Sequence, residues 1–256
     1  MPQTVLITGS TSGIGLGIAR EFAKAGYNII WNGLEPNGEA ISQEVMDTYG
    51  TDGFFCPANM LDVVALQAMV NEAQERFGRL DVLVCNAGIQ YVAPVDEFPA
   101  EKWEAILGIN LSSAFYLSKA VWPAMKANGF GRIINIASAH GLSASEYKSA
   151  YVAAKHGLVG LTKVLALEGA PYNINCNAIC PGYVKTPIVE KQIADQMKVH
   201  GMTEEEVIKK VMLGRQAVKE FIPLETLGKL AVFLASPEAA TLTGAALPVD
   251  GGWNCY

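Results

Sequence analysis

Short apolar runs rich in β-forming residues alternate along this chain with longer segments of helical period. Most of the short runs are almost continuously apolar, which is the pattern of strands buried on both faces of a parallel sheet. Regular alternation of strand and helix indicates a doubly wound α/β fold with flanking helices. The predicted strands are 4–8, 28–32, 53–57, 81–86, 132–137 and 174–179, and the predicted helices are 14–25, 39–49, 62–77, 101–127, 149–169 and 224–235.

The chain of 256 residues shows no linker and no internal repeat, so we predict one domain over residues 1–256. One segment interrupts the alternation, because residues 187–220 are helical in propensity but rich in Lys, Glu, Gln and Met. Such a stretch is either a solvated helix face or a lid. Its position after the carboxyl end of a strand favours a helical substrate lid over the cleft.

Charge and hydropathy exclude several classes of partner. The net charge is −6, and the 19 Lys and Arg residues form no cluster, so nucleic acid and anionic membranes are not expected partners. No stretch reaches the ~18 apolar residues that a membrane span needs, and no basic segment precedes a hydrophobic one at the N-terminus. We therefore expect a cytoplasmic protein.

Cysteine and histidine usage offers no cross-link and no metal centre. The five cysteines contain no CxxC motif, and Cys176 and Cys180 fall in one predicted strand. Four residues of strand separate them by about 13 Å, which is too far for a disulfide. The three histidines lack HExxH spacing, so we expect no metal.

A glycine-rich turn, residues 8–15, follows the first predicted strand and opens the first predicted helix. Glycines there let the backbone turn tightly and approach a pyrophosphate, whose charge a helix N-terminus favours. No Lys follows the last glycine as in a P-loop, and Thr11 stands where a nucleophile elbow has its Ser. Because any tight turn between a strand and a helix needs glycine, this motif supports a Rossmann-type dinucleotide site only together with other signals.

Three side chains supply those signals. Tyr151 and Lys155 are four residues apart in a predicted helix and so share one face. Ser138 ends a predicted strand, at the carboxyl edge where open α/β sheets bind ligands. A hydroxyl, a Tyr beside a cation and a nucleotide turn together describe a hydride-transfer site. There Lys155 and the positive nicotinamide ring are expected together to lower the pKa of Tyr151.

The chain resembles the short-chain dehydrogenase/reductase family over essentially its whole length. The motifs that carry the resemblance are residues 8–15, 85–88 and 181–182, Asn110, Ser138, Tyr151 with Lys155, and residues 249–252. The resemblance implies a catalytic set of Asn110, Ser138, Tyr151 and Lys155, with Asn110 anchoring a proton relay and Lys155 holding the nicotinamide ribose. It also implies a dinucleotide site made of Gly9, Thr11, Ser12, Gly13, Ile14, Gly15, Asn59, Asn86, Ala87, Gly88, Tyr151, Lys155, Pro181, Gly182 and Val184. Two positions depart from the family pattern, since Cys85 replaces an Asn and Asn59 replaces an Asp.

A narrower resemblance is carried by residues 88–90, 138–141, 147–151 and 188–192. These stretches are similar to those of one bacterial group in that family, the (R)-3-hydroxybutyrate dehydrogenases. The resemblance implies a site for a short 3-hydroxy acid made of Gln90, Ser138, His140, Lys148, Tyr151, Tyr183 and Gln192. In that group Gln90, His140, Lys148 and Gln192 correspond to the residues that hold the substrate carboxylate, and a Trp usually stands at the position of Tyr183. A solvated Gln90, a core His140 and a surface Lys148 are the alternatives.

Cofactor choice and assembly complete the expectations. No Arg or Lys follows the second predicted strand, and the nearby Glu35 would repel a 2′-phosphate, so we predict NAD. The family resemblance and the apolar faces of 101–127 and 149–169 predict a homotetramer. Two other functions stay open: another reductase of this family, such as a 3-oxoacyl carrier-protein reductase, and a non-enzymatic dinucleotide sensor.

Overall fold

The computed structural model describes residues 2–186, 189–190, 193, 197 and 201–255. The strands are β1 (Thr4–Ile7), β2 (Asn28–Asn32), β3 (Gly53–Cys56), β4 (Val82–Cys85), β5 (Gly131–Ile136), β6 (Ile174–Pro181) and β7 (Ala246–Val249). The longer helices are α1 (Gly13–Lys24), α2 (Gly38–Tyr49), α3 (Val63–Phe77), α4 (Ala100–Leu107), α5 (Ser113–Asn128), α6 (Ser149–Gly169) and α7 (Leu224–Ala235).

All seven strands pair in parallel in one sheet, in the order β3-β2-β1-β4-β5-β6-β7. The chain moves outward from β1 to β3, then returns to the other side of β1 with β4. Ligands bind at this kind of switch point, outside the carboxyl ends of the strands. The structure thus confirms the predicted Rossmann-type doubly wound fold.

Alternate side chains of each central strand enter different cores. Leu6 of β1 packs in the core that contains Leu117 of α5, whereas Val5 and Ile7 pack in the core that contains Phe22 of α1. All three β1 side chains are 0% exposed. Burial on both faces explains why the strands are continuously apolar rather than alternating.

Two features of the chain path differ from the sequence prediction. The segment predicted as one helix, 101–127, is two helices joined by a wide helical turn, Gly108–Ser112. The last strand, β7, was not predicted, because it has only four residues and contains Pro248. Proline is tolerated in β7 because this strand forms an edge of the sheet.

Within the described part of the proposed lid, residues 189, 190, 193 and 197 are helical, and a further short helical segment, Glu204–Glu206, follows. Thr203 caps it with a reciprocal bond to Glu206, and a wide turn, Val207–Met212, follows. Buried Val207 and Met212 pack with the partly buried Tyr183, apart from the two cores of the sheet. A closing motion of this segment stays a prediction.

No helix in the described ranges is long and apolar enough to cross a membrane. The five cysteines are free thiols, and Cys85, Cys176 and Cys180 are buried.

Candidate active site

A cavity of about 870 Å³ lies where the chain leaves β1, β4, β5 and β6. Residues that follow each of these strands line it, so one space joins the glycine turn to the end of β5. The cavity therefore occupies the switch point of the sheet, as expected for a ligand site in this fold.

The glycine turn depends on an unusual backbone angle at Gly9 and on a close backbone approach at Gly15. Gly9 has φ +60°, in the left-handed region that side chains disfavour. A Cβ at Gly15 would lie 2.0 Å from the carbonyl oxygen of Gly9, so only glycine fits there. Asn86 holds the turn from β4, since its Nδ2 donates to the carbonyl oxygens of Thr8 and Gly9 at 2.9 and 3.0 Å.

The N-terminus of α1 is left open for an anion. Ser12 is the N-cap residue, but its side chain makes no capping bond, because its hydroxyl donates to Glu35 at 2.7 Å. Among the residues that the structure describes, no side chain accepts from the first amides of the helix, where Ser12, Gly13 and Ile14 line the cavity. Uncapped amides at a helix N-terminus suit a phosphate. The turn thus fits the pyrophosphate of a dinucleotide.

Glu35 follows β2 and closes the same end of the cavity. Thr11 also donates its hydroxyl to this carboxylate. Burial acts to raise the pKa of Glu35, but the hydrogen bonds from Thr11 and Ser12 outweigh it and hold the pKa below its ordinary value. Glu35 is thus a carboxylate at neutral pH, and its neighbour Leu34 presents an apolar side chain that is 65% exposed.

Asn32 and Asn59 complete this part of the cavity. Asn32, at the end of β2, accepts from the amide of Gly9 at 3.2 Å and donates to the carbonyl oxygens of Cys56 and Ala58. Asn59 lines the cavity as predicted, although its Oδ1 accepts from the amide of Leu61 at 3.0 Å.

Ser138, Tyr151 and Lys155 line the cavity together, and Ser138 is hydrogen-bonded with Tyr151. Ser138 follows β5, whereas the other two lie one turn apart on α6. The ammonium nitrogen of Lys155 is 5.7 Å from the ring centroid of Tyr151 and donates to the carbonyl oxygen of Ile136 at 2.7 Å.

Burial controls the acidity of this group. It lowers the pKa of Lys155 to about 8, partly opposed by the nearby thiols of Cys180 and Cys85. It raises the pKa of Tyr151, and hydrogen bonding with Ser138 opposes that rise. Without a cofactor, the pKa of Tyr151 lies above its ordinary value, because burial disfavours the phenolate more than hydrogen bonding favours it. The expectation that Lys155 and the nicotinamide ring together lower this pKa stays a prediction.

Beside the reactive group, Gln90, His140 and Lys148 line the same cavity. Nε2 of His140 lies 2.7 Å from the hydroxyl of Ser145, and its Nδ1 lies 3.5 Å from that of Ser138. Burial, with added repulsion from Lys148, Arg215 and His156, lowers the pKa of His140 to about 4, so the imidazole is neutral. Lys148 is the N-cap residue of α6, and partial burial lowers its pKa.

Most of the predicted site residues share this cavity. Those that line it are Gly9, Ser12, Gly13, Ile14, Asn59, Asn86, Ala87, Gly88, Gln90, Ser138, His140, Lys148, Tyr151, Lys155, Pro181, Gly182, Tyr183 and Val184. Thr11 and Gly15 do not line it. Thr11 donates to Glu35, and Gly15 packs against the carbonyl group of Gly9. Gln192 lies outside the residues that the structure describes.

Asn110 does not line the cavity but holds a segment that does. It lies in the wide turn after α4 and is 2% exposed. Its Oδ1 accepts from the amide of Ile89, and its Nδ2 donates to the carbonyl oxygen of Ile89, both at 2.9 Å. The side chain therefore fixes the segment that carries Gln90, and the expected proton relay through Asn110 stays a prediction.

The site prediction from sequence missed several cavity residues, among them Asn32 and Trp253. Asn32 could have been found as a polar residue that ends an apolar strand at the carboxyl edge. Trp253, which is 7% exposed, offers no such local signal. It enters the cavity only because β7 directs the C-terminal segment back toward His140, whose ring centroid is 5.0 Å from that of Trp253.

Comparisons with known proteins agree with this geometry. A family model described as enoyl-(acyl carrier protein) reductase matches residues 9–254. D-beta-hydroxybutyrate dehydrogenase of Rhizobium meliloti strain 1021 is 51% identical, with 99% of both chains covered. The protein of the same name from Cupriavidus necator is 47% identical, over 98% of this chain and 97% of its own.

A solved structure is also similar throughout. It is a single-substitution variant of actinorhodin polyketide ketoreductase with NADPH, with a TM-score of 0.92, 34% identity, and coverage of 100% of this chain and 98% of that one. Together with the family model and the two relatives, it shows that this chain belongs to the short-chain dehydrogenase/reductase family, oxidoreductases that use nicotinamide dinucleotides.

Proposed function

We propose that this chain oxidises (R)-3-hydroxybutyrate to acetoacetate with NAD, reversibly. The observation that carries the proposal is the convergence of Gln90, His140 and Lys148 on the cavity that holds Ser138 and Tyr151. Two relatives over nearly the full chain bear the name D-beta-hydroxybutyrate dehydrogenase, which supports the same substrate.

The three polar side chains suit a small carboxylate. Lys148 provides the positive charge, and its partial burial strengthens its attraction to an anion. Gln90 and the neutral imidazole of His140 add hydrogen-bond donors that fix the orientation of the carboxylate. A carboxylate held there would share the cavity with the hydroxyls of Ser138 and Tyr151, which are to act on C3 of a short acid.

The dinucleotide would be held along the other half of the cavity. The open amides of α1 would take the pyrophosphate, Glu35 would take the adenosine ribose, and Lys155 would take the nicotinamide ribose. The Glu35 carboxylate repels a 2′-phosphate, and the exposed Leu34 beside it offers no charge. These two neighbours support NAD rather than NADP.

In the oxidising direction, Tyr151 accepts the proton of the C3 hydroxyl while C3 loses a hydride. A nicotinamide held there would supply the hydride acceptor and a positive charge that favours the phenolate of Tyr151. Ser138 donates a hydrogen bond to the reacting oxygen and holds it beside the phenol. Lys155 stabilises the phenolate, since its ammonium group faces the ring of Tyr151.

We also propose a homotetramer. Exposed apolar side chains lie on both helices predicted to pair, with Phe115 46% exposed on α5 and Leu167 79% exposed on α6. Light scattering at micromolar concentration tests the assembly, and a monomer would contradict it.

The function is tested by following absorbance of the reduced nicotinamide with both cofactors. The panel contains (R)- and (S)-3-hydroxybutyrate, 3-hydroxyvalerate, lactate and, in the reverse direction, acetoacetate and an acetoacetyl thioester. We expect turnover of (R)-3-hydroxybutyrate with NAD. Preference for the thioester with NADPH would indicate a carrier-protein reductase, and cofactor binding without turnover would indicate a sensor.

A further inference from the structure

Arg215 stacks on an aromatic side chain of the substrate cavity. Its guanidinium carbon lies 4.5 Å from the ring centroid of Trp253, within the range of a cation–π contact. Trp253 lines the cavity, whereas Arg215 is exposed and does not. Arg215 therefore contacts the cavity through the indole, and its charge also reaches His140 across the longer distance.

The indole also contacts the predicted substrate residues. Its ring centroid lies 5.0 Å from that of His140, which in turn is 6.1 Å from the ring of Tyr151. The segment that carries Trp253 is held by a tight turn, in which the Asp250 carboxylate accepts from the amides of Gly252 and Asn254 at 3.0 and 3.1 Å. This turn sets where the indole lies, and the contacts with His140 and Arg215 are the ones that can fix its tilt.

A second set of contacts keeps Arg215 opposite this turn. The amide of Val218 donates to the carbonyl oxygen of Gly251 at 2.9 Å. Gln216, the residue after Arg215, is 1% exposed. Its side chain donates to the carbonyl oxygens of Val218 and Glu220 and accepts from the amide of Tyr183. The backbone three residues after Arg215 is therefore hydrogen-bonded to the backbone two residues before Trp253.

We propose that Arg215 is a positioning residue, which holds the indole of Trp253 against His140 and so shapes the carboxylate end of the substrate cavity. This inference rests on the proposed function for the identity of the substrate. Because Arg215 touches neither the reacting oxygen nor the nicotinamide end of the site, it acts on substrate binding and not on the hydride step.

The first test replaces the cation alone. In Arg215→Gln, we expect the KM for (R)-3-hydroxybutyrate to rise about two- to fivefold, the change that an exposed cation–π contact is worth. We expect kcat and the KM for NAD to stay unchanged. Arg215→Lys keeps the cation and should restore most of the binding. Lys209→Gln, which removes a cation from the same segment, serves as the matched control, since Lys209 pairs with Glu205 instead.

A double-mutant cycle then asks whether Arg215 acts through the indole. In a Trp253→Leu background, Arg215→Gln should raise the KM no further, because the ring that transmits its effect is gone. Additive effects of the two substitutions would overturn the proposal, as would an equal loss in Arg215→Lys or a fall in kcat at constant KM.

A measurement without substrate separates this inference from the proposed function. In protein labelled with 5-fluorotryptophan, the ¹⁹F resonance that Trp253→Phe removes should shift in Arg215→Gln and stay in place in Lys209→Gln. An unshifted resonance in Arg215→Gln would overturn the positioning role even if 3-hydroxybutyrate is the substrate. If the wild type fails to oxidise that acid, the proposed function fails, while the resonance shift still reports the contact.

Discussion

Lys155 holds its ammonium nitrogen 5.7 Å from the ring centroid of Tyr151, one helical turn away on the same face of α6. The same nitrogen donates to the carbonyl oxygen of Ile136 at the end of β5. The pair is thus fixed to the sheet at the edge where Ser138 follows. Burial makes both charged forms costly, which leaves the pair responsive to whatever charge binds in the cavity.

Tyr151→Phe should nearly abolish turnover and leave dinucleotide binding intact. The substitution removes the proton acceptor but keeps the ring, and general base catalysis is worth about 100-fold or more. Turnover and NAD affinity, measured by absorbance and calorimetry, check this. Tyr172→Phe, on the turn after α6, should behave as wild type. A Tyr151→Phe rate above about a tenth of the wild-type rate would contradict the assigned role, since it would mean that the activation free energy rises by less than ~1.4 kcal/mol.

Replacing Lys155 should change how stability depends on pH. Its pKa is about 8 in the folded protein and 10.5 when unperturbed. Because the folded pKa is the lower one, Lys155 costs stability below about pH 8, and the cost disappears as the pH rises toward the unfolded value. Relative to Lys155→Met, the wild type should gain up to about 3 kcal/mol of unfolding free energy between those pH values. Urea unfolding at pH 8 and pH 10 measures the difference, and the exposed Lys163→Met on the same helix should show none.

Lys148→Ala should lose about 30-fold or more in kcat/KM for (R)-3-hydroxybutyrate. The reason is that the substrate carboxylate, once removed from water, no longer has the ammonium group of Lys148 as its partner. The loss should be much smaller for an uncharged ester of the same acid, and Lys163→Ala should change neither value. Steady-state kinetics with both substrates measure this. Equal losses for acid and ester would remove Lys148 from the carboxylate site.

Glu35→Gln should weaken the preference for NAD. Removing the carboxylate removes its repulsion of a 2′-phosphate, so the ratio of kcat/KM for NAD to that for NADP should fall about tenfold. The control is Glu39→Gln in the first turn of α2, an exposed carboxylate outside the cavity. An unchanged ratio, or equal use of both cofactors by the wild type, would assign the selectivity elsewhere.

Local pattern was enough to predict most of the fold. The boundaries of α6 and α7 agree with the structure, because each apolar stripe ends at a clear break in helical period. The turn at Gly108–Ser112 escaped prediction, since one additional residue in a helical turn barely changes the periodicity. The strand β7 was also not predicted, because four residues that include a proline are too few to show a strand pattern.

The sequence by itself determined the alternation of the first six strands with helices, the glycine turn and the spacing of Tyr151 and Lys155, because each depends on residues close together in the chain. Only the tertiary structure decided which distant side chains meet. It placed Trp253 against His140, Arg215 against Trp253, and Asn110 behind Ile89 rather than in the cavity wall. The physical reason is that these contacts follow from strand order and from the direction in which each strand releases the chain. Neither property leaves a periodic signal in the residues that make the contact.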